Sequence, residues 1–262
     1  MEVASMPTLS PWRVPLSLRL ILYGLGIVYE ATMIGVGVAA SLVAKARDNR
    51  ALHVLGLGFL LIGIGDLMHT LGHVAMDLAP LLWSAYAFEA ISTALSITLA
   101  TAFFTTLRLY VSLTGRGRFG PLDRVLMCFP AATAVLAFMW AGAALLPVFC
   151  ALVPYRACLA ASVILMVAVG YVSCFSLLGA VRKGVLLSSP GADQKQSWLA
   201  WGSVLMALAV TFVLIHPFVV HAPLAMFVIT TLKILMLMSS GLLVGLSLMA
   251  PGGSHRPPQP SI

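Results

Sequence analysis

Seven long runs of apolar residues, each separated from the next by a short gap, constrain the fold of this chain more than any other feature. About 20 consecutive apolar residues allow an α-helix to cross the hydrocarbon core of a bilayer. Inside a span the backbone must satisfy its own hydrogen bonds, and a helix does so. The sequence therefore predicts an all-α, polytopic integral membrane protein with a seven-helix transmembrane bundle. The predicted spans are 18–44, 51–76, 81–112, 124–147, 154–182, 196–219 and 223–249.

Composition excludes a water-soluble domain. Hydrophobic residues make up 61% of the chain and charged residues 9%, whereas a soluble domain has roughly 45–50% apolar and about 25% charged residues. The expected partner is therefore the lipid bilayer, and the expected location is the cell membrane as a multi-pass protein. The net charge of +7 comes from residues in the short gaps and not from a basic stripe, so no nucleic-acid partner is expected.

The charges in the gaps predict an orientation. Lys and Arg accumulate after the first, third and fifth spans, at 45–50, 116–124 and 182–195. The positive-inside rule places these gaps in the cytoplasm. The N-terminus is then outside and the C-terminus cytoplasmic, although Arg13 and Arg19 oppose this assignment. The predicted regions are an N-terminal segment 1–17, a transmembrane domain 18–249 and a disordered C-terminal tail 250–262.

Ionisable residues inside the predicted spans are the strongest functional signal. An acid or base at the centre of a membrane helix costs roughly 2.5–3.5 kcal/mol. The depth of each ionisable residue follows from the predicted orientation and a rise of roughly 1.5 Å per residue. All of these residues fall between the midplane of the membrane and its outer surface. Unrelated structural residues have no reason to collect on one side, so we expect an outward-facing polar pocket. Its expected ligand-binding residues are Glu30, Asp66, His69, His73, Glu89 and Lys233.

Histidine spacing suggests a metal or haem site within the same region. Asp66, His69 and His73 stand at i, i+3 and i+7 and therefore share one helix face. Two histidines four residues apart suit a single metal ion, and a nearby carboxylate can orient an imidazole through its other nitrogen. Histidines that only hydrogen-bond between helices are the structural alternative. The expected ligands of a metal ion or haem are His69, His73, His216 and His221.

Lys233 is the single lysine in the body of a predicted span. We expect a buried ion pair with Glu30, Asp66 or Glu89, which neutralises charges that lipid cannot solvate. A Schiff base with a retinal-type carbonyl is the alternative. The third span lacks the acidic pattern of microbial rhodopsins, which disfavours that alternative.

Small and sulfur-containing residues give two further expectations. Cys150 and Cys158 flank the gap after the fourth span, where a disulfide and two free thiols are both compatible with the sequence. Small residues let membrane helices approach closely, so glycines that recur in the first two spans predict their close packing. These glycines are Gly24, Gly26, Gly35, Gly37, Gly56, Gly58, Gly63 and Gly65.

A motif in the second span resembles a known sensor family. The stretch 66–71, DLMHTL, is similar to the "D-hydrophobic-hydrophobic-H-T-L" signature of the third class of bacterial membrane-associated sensor domains. The likeness lies within 29–110. Besides the motif, Tyr29-Glu30, Leu82-Trp83 and Phe88-Glu89-Ala90 also match the family. Members of that family precede histidine kinase or diguanylate cyclase domains, so the resemblance implies a sensory module. His73 stands where the family commonly has an aromatic residue. No output domain follows the seventh span, so such a sensor is expected to act through a separate cytoplasmic signalling protein.

Three functions are compatible with these features. The first is a membrane-embedded sensory or ligand-binding module that signals through a partner. The second is a haem- or metal-binding redox protein or a zinc-dependent hydrolase built on the histidines. The third is a small transporter with Asp66, Glu89 and Lys233 as a relay, which the lack of an inverted repeat disfavours. Enzymatic activity is therefore the lesser expectation, and no catalytic residue is predicted.

Overall fold

Helices make up almost all of the chain that the structure describes. The computed structural model describes residues 14–79, 82–145, 155–184, 192–219 and 222–249. Seven helical segments in these ranges are long and apolar enough to cross a membrane, with α4 and α5 together forming the fourth. The all-α prediction is confirmed, and the protein is a multi-pass membrane protein. The helices are α1 (Leu16–Ala46), α2 (Arg50–Leu78), α3 (Trp83–Arg116), α4 (Pro121–Leu126), α5 (Phe129–Leu145), α6 (Tyr155–Arg182), α7 (Ala192–Val219) and α8 (Pro223–Met249).

The fourth span departs from the prediction of a single helix over 124–147. The chain forms the short helix α4, then a turn, and then α5. Pro130 is the second residue of α5. A proline has no backbone N–H, and its ring clashes with the carbonyl four residues earlier, here that of Leu126. The break after Leu126, the last residue of α4, therefore follows from the position of this proline.

Capping residues next to the short gaps determine where α2 begins and where α3 ends. Gly117 follows α3 with φ 66°, a left-handed conformation that glycine adopts without a steric penalty. The side chain of Asn49 accepts a hydrogen bond of 3.0 Å from the backbone N–H of Leu52, which caps the start of α2. These caps satisfy backbone groups that a helix end leaves without intrahelical partners.

The long helices pack side by side in chain order. Each one contacts the next, from α1 through α2, α3, α5, α6 and α7 to α8, and α8 contacts α1. The seven spans therefore close a ring. In addition, α3 packs against α6 across that ring.

The first two spans are in backbone contact, which confirms their predicted close packing. Not all of the predicted glycines take part, since Gly24 and Gly35 have no neighbour within 4 Å and Gly58 and Gly65 lie against α3. A Cβ atom at Gly37 would lie 2.8 Å from the backbone nitrogen of Leu60. A Cβ atom at Gly56 would lie 2.9 Å from the backbone nitrogen of Ser41. Both distances are shorter than normal contacts, so these positions of α1 and α2 tolerate only glycine at the present helix separation.

An apolar core fills the half of the bundle that holds the C-terminal end of α3. Phe59, Phe103 and Leu107 are fully buried there, and the rings of Phe59 and Phe103 lie 5.2 Å apart. Large apolar side chains such as Leu42 and Phe175 are instead exposed on the outside of the bundle. A surface of this kind suits contact with lipid.

Several predictions stay outside what the structure tests. Most of the N-terminal segment 1–17 and the tail 250–262 lie outside the described residues, although α1 begins at Leu16, within that segment. Cys150 also lies outside them, while Cys158 is a buried free thiol, which favours the free-thiol alternative. The orientation in the membrane remains a prediction.

Cys128 allows a direct test of that orientation. This exposed free thiol lies between α4 and α5, four residues beyond the predicted cytoplasmic gap 116–124, whereas Cys158 and Cys174 are buried. In a Cys150→Ser background, a membrane-impermeant maleimide is expected to label inverted vesicles and not intact cells. Cys128→Ser is the control for labelling elsewhere. Labelling of intact cells at Cys128 would reverse the assigned orientation.

Candidate functional site

The polar side chains predicted from the sequence meet in one half of the bundle. They come from the N-terminal halves of α1, α3 and α8 and the C-terminal half of α2, which is antiparallel to its neighbours. The apolar core occupies the other half of the same helices. We call this group the polar cluster, and it comprises Glu30, Asp66, His69, His73, Glu89 and Lys233.

Asp66 is the centre of the polar cluster. The hydroxyl of Tyr29 on α1 donates to its Oδ2 atom at 2.9 Å, and the hydroxyl of Ser96 on α3 donates to Oδ1 at 2.7 Å. Lys233 on α8 lies near enough to this carboxylate for the two charges to interact, but among the described residues Lys233 forms no salt bridge within 4 Å. The predicted ion pair is therefore not present as a direct contact. Hydrogen bonds of the Asp66 side chain link α1, α2 and α3.

Glu30 is buried beside this centre, with 2% of its surface exposed. The hydroxyl of Thr70 on α2 donates to its Oε1 atom at 2.5 Å. Its Oε2 atom has no hydrogen-bond partner among the described residues. Burying a carboxylate oxygen without a partner is costly, so Glu30 is poised to bind a group that supplies a donor or a positive charge.

His69 and His73 form a contact pair on α2. Their Nε2 atoms are 3.1 Å apart. The Nδ1 atom of His73 lies 3.5 Å from Oε1 of Glu89 on α3, and the Nδ1 atom of His69 lies 3.1 Å from the hydroxyl oxygen of Thr93 on α3. The two histidines thus face each other through one nitrogen and face α3 through the other.

Gly72 allows α3 to approach the histidines this closely. A Cβ atom at Gly72 would lie 3.1 Å from Cα of Glu89 and would overlap the hydroxyl of Ser92. Glu89 is buried, and its Oε2 atom has no hydrogen-bond partner among the described residues. The glycine between the two histidines therefore brings the Glu89 carboxylate within reach of His73.

A second charged group lies beyond the histidines, towards the end of α2. Arg19 on α1 forms an ion pair with Asp77 on α2, and the hydroxyl of Tyr23 donates to Asp77 at 2.6 Å. From the sequence, Arg19 opposes the predicted orientation, and Asp77 directly follows the predicted span 51–76. In the structure the two charges neutralise each other, so Arg19 weighs less as a signal of orientation.

The structure brings all six predicted ligand-binding residues together. Direct contacts join His73 to His69 and Glu89, while Glu30 and Lys233 lie near Asp66 without a direct contact to it. Thr93 and Ser96 were not predicted from the sequence, and Tyr29 and Thr70 entered only through the family resemblance. A hydroxyl residue carries no signal of its own in a span, because it also bonds to its own helix.

The predicted four-histidine metal set is only half described. His69 and His73 are in contact, but the side chain of His216 and all of His221 lie outside the described residues. Among the residues that are described, no group of three or more His, Cys, Asp and Glu side chains is arranged to hold a metal ion.

Two surface grooves lie away from the polar cluster. One, of about 250 Å³, separates α6 from α7 and is lined mainly by apolar side chains such as Phe175 and Leu208. The other, of about 540 Å³, is lined by Arg47, Arg50 and Thr114 at the opposite end of the bundle. Neither groove includes a residue of the polar cluster.

Comparison of the chain with protein-family models, with curated proteins and with solved structures finds no match. The functional argument therefore rests on the side chains of the polar cluster.

Proposed function

We propose that this protein is a membrane-embedded sensory or ligand-binding module whose ligand binds at the polar cluster. The observation that carries the proposal is the pair of buried acids Glu30 and Glu89, each with one carboxylate oxygen that has no hydrogen-bond partner among the described residues. Ionisable groups at membrane depth are costly and are usually retained for function. A ligand that completes these contacts supplies the missing compensation.

The position of the polar cluster supports a sensory role over a purely local one. α3 carries Glu89 near its start and Arg116 at its end, 27 residues later, which is a distance of about 40 Å at a rise of 1.5 Å per residue. The helices that hold the ligand therefore also reach the basic end of the bundle. A separate cytoplasmic protein that docks at this end would receive the signal.

The resemblance to the third class of membrane-associated sensor domains supports the same proposal. The residues that carry that resemblance include Glu30, Asp66, His69, Thr70 and Glu89, and all five lie in or against the polar cluster. A motif whose members meet in space is better explained by a shared task than by separate packing roles.

A fluorescent reporter at Cys128 tests the proposal. In a Cys150→Ser background in nanodiscs, Cys128 carries an environment-sensitive dye, and the probes are Zn²⁺, Ni²⁺, Ca²⁺, Mg²⁺ and haem. We expect at least one probe to change the emission saturably. The triple variant Glu30→Gln/Asp66→Asn/Glu89→Gln should remove the response, whereas Asp48→Asn, which changes an exposed acid, should keep it. A probe that binds at the polar cluster without changing the emission would contradict a sensory role.

A metal-dependent redox protein or hydrolase is the second candidate, because the Nε2 atoms of His69 and His73 face each other. The visible absorption spectrum and the metal content of the purified protein separate this candidate from the first. A haem band, or a tightly held ion together with turnover of a substrate, would favour it.

A further inference from the structure

We infer that the groove between the α1–α2 turn, at 47–49, and the end of α3 binds the phosphate group of an anionic lipid through Arg47 and Arg50. The groove lies at the opposite end of the bundle from the polar cluster and shares no residue with it. The inference therefore goes beyond the proposed function and does not depend on it. It concerns a component of the bilayer, and not the ligand to which the module responds.

The groove has the size and the lining of a headgroup site. Its volume is about 540 Å³, and small-molecule sites in proteins have volumes of roughly 300–1,000 Å³. Arg47 and Arg50 come from the α1–α2 turn and the start of α2, and Thr114 comes from near the end of α3. All three residues are exposed, so a headgroup can reach both guanidinium groups and the hydroxyl from outside.

Both arginines keep N–H donors for a ligand. The Nη2 atom of Arg47 donates to the backbone oxygen of Met249 at 3.0 Å, which leaves its other N–H groups without a partner among the described residues. The side chain of Arg50 forms no salt bridge or hydrogen bond with the part of the chain that the structure describes. A planar guanidinium group matches two oxygens of a phosphate with parallel hydrogen bonds, so arginine suits this ligand better than lysine does.

The charge of the groove favours an anion. Asp48 also lines it, so two arginines and one aspartate give the groove a net charge of +1. Asp48 forms no salt bridge within 4 Å with any side chain in the described ranges. It therefore does not occupy the donors of the two arginines.

Further cations lie at the same end of the bundle. Lys45, Arg118 and Arg124 are exposed, and none of them forms a salt bridge with a described residue. The acid Asp123 is buried there and is already paired with Arg108 at 3.0 Å. This end therefore has an excess of positive charge, which attracts the negative surface of a leaflet that contains anionic lipids.

The length of α2 places the groove at the level of lipid headgroups. The helix has 29 residues, and at a rise of about 1.5 Å per residue it is about 43 Å long. A bilayer is about 30 Å thick across its hydrocarbon core and about 40–45 Å thick with its headgroup regions. Arg50 is the first residue of α2, so it lies among the headgroups when the helix is centred in the membrane.

An exposed apolar stripe on α2 continues from the groove towards the centre of the membrane. Arg50, Leu57 and Ile64 follow one another at intervals of seven residues and therefore share one face of the helix. Leu57 and Ile64 are exposed. A lipid whose headgroup is in the groove can lay an acyl chain along this stripe, which a soluble phosphate compound or an acidic protein segment cannot do.

Native mass spectrometry of the full chain, released from detergent micelles that contain added lipid, tests the site. The probes are phosphatidylglycerol, which is anionic, and phosphatidylcholine, which has no net charge. We expect phosphatidylglycerol to bind at least about tenfold more tightly, and Arg47→Gln/Arg50→Gln to weaken it by about 10–30-fold. Lys45→Gln/Arg118→Gln is the matched control, because it removes two exposed cations that do not line the groove. The control should weaken binding by less than about threefold, since exposed charges at a distance are screened.

Two further measurements locate the site and identify its ligand. Glycerol phosphate has the phosphate without acyl chains and should not displace phosphatidylglycerol at equal concentration. A phosphatidylglycerol with a photoreactive headgroup should crosslink to 47–51 or 113–117 of the wild-type chain. The crosslinks decide the location even if a double variant does not fold.

Several outcomes would overturn the lipid site. These are equal binding of the two lipids, equal effects of the two double variants, and crosslinks found only outside 47–51 and 113–117. Displacement by glycerol phosphate would assign the groove to a soluble phosphate compound, and displacement by an oligoglutamate peptide would assign it to an acidic protein. The Cys128 response enters none of these outcomes, so the lipid site and the proposed function fail separately.

Discussion

Asp66→Ala is expected to lower the free energy of unfolding by about 3–5 kcal/mol, the range seen when one partner of a buried charge pair is removed. The carboxylate of Asp66 accepts hydrogen bonds from Tyr29 and Ser96 and balances the charge of Lys233. Without it, two hydroxyls lose their acceptor, and the ammonium group of Lys233 loses a nearby opposite charge. Unfolding in SDS followed by circular dichroism measures the loss.

A second substitution shows that charge is the cause. Asp66→Ala/Lys233→Met should regain most of the lost free energy, because the uncompensated ammonium group is gone. Lys45→Met, at an exposed lysine near the end of α1, is the control for loss of a cation and should change little. If the effects of Asp66→Ala and Lys233→Met simply add, the two residues do not form a charge pair.

Gly37→Ala is expected to destabilise the protein by about 2–3 kcal/mol, at the upper end of the range for overpacking. The new methyl group would meet the backbone nitrogen of Leu60 and the carbonyl oxygen of Gly56, and neither can move without shifting α2. The same unfolding experiment measures this loss, and cross-linking between α1 and α2 would report the wider separation.

Gly35→Ala is a closely matched control, two residues away on α1. A Cβ atom at Gly35 has no neighbour within 4 Å. The higher helix propensity of alanine should therefore leave stability unchanged or raise it by up to about 1 kcal/mol. Equal effects at Gly35 and Gly37 would mean that helix propensity, and not backbone contact, determines the result.

The sequence alone was sufficient to predict the seven spans and the residues that α2 contributes to the polar cluster. Apolar runs of bilayer length are specific for membrane helices, and the break before Pro130 divided the fourth span into two helices without changing the number of spans. The helical period was enough to place Asp66, His69 and His73 on one side of α2. These predictions depend on one helix at a time, and local geometry determines each helix.

The contacts between helices could not be predicted in the same way. A span that is apolar all round does not reveal which side faces its neighbours. The partnership of Asp66 with Tyr29, and of His69 with Thr93, depends on the rotation of three helices about their axes. Arg19 shows the same limit, because its partner Asp77 lies 58 residues away along the chain.

The apolar core beneath the polar cluster has a consequence for what the bundle can carry. Phe59, Phe103 and Leu107 fill the described interior on the far side of Asp66 with side chains that cannot solvate a charge. Large apolar side chains on that side would oppose the passage of an ion through the described interior, which counts against the small transporter considered from the sequence.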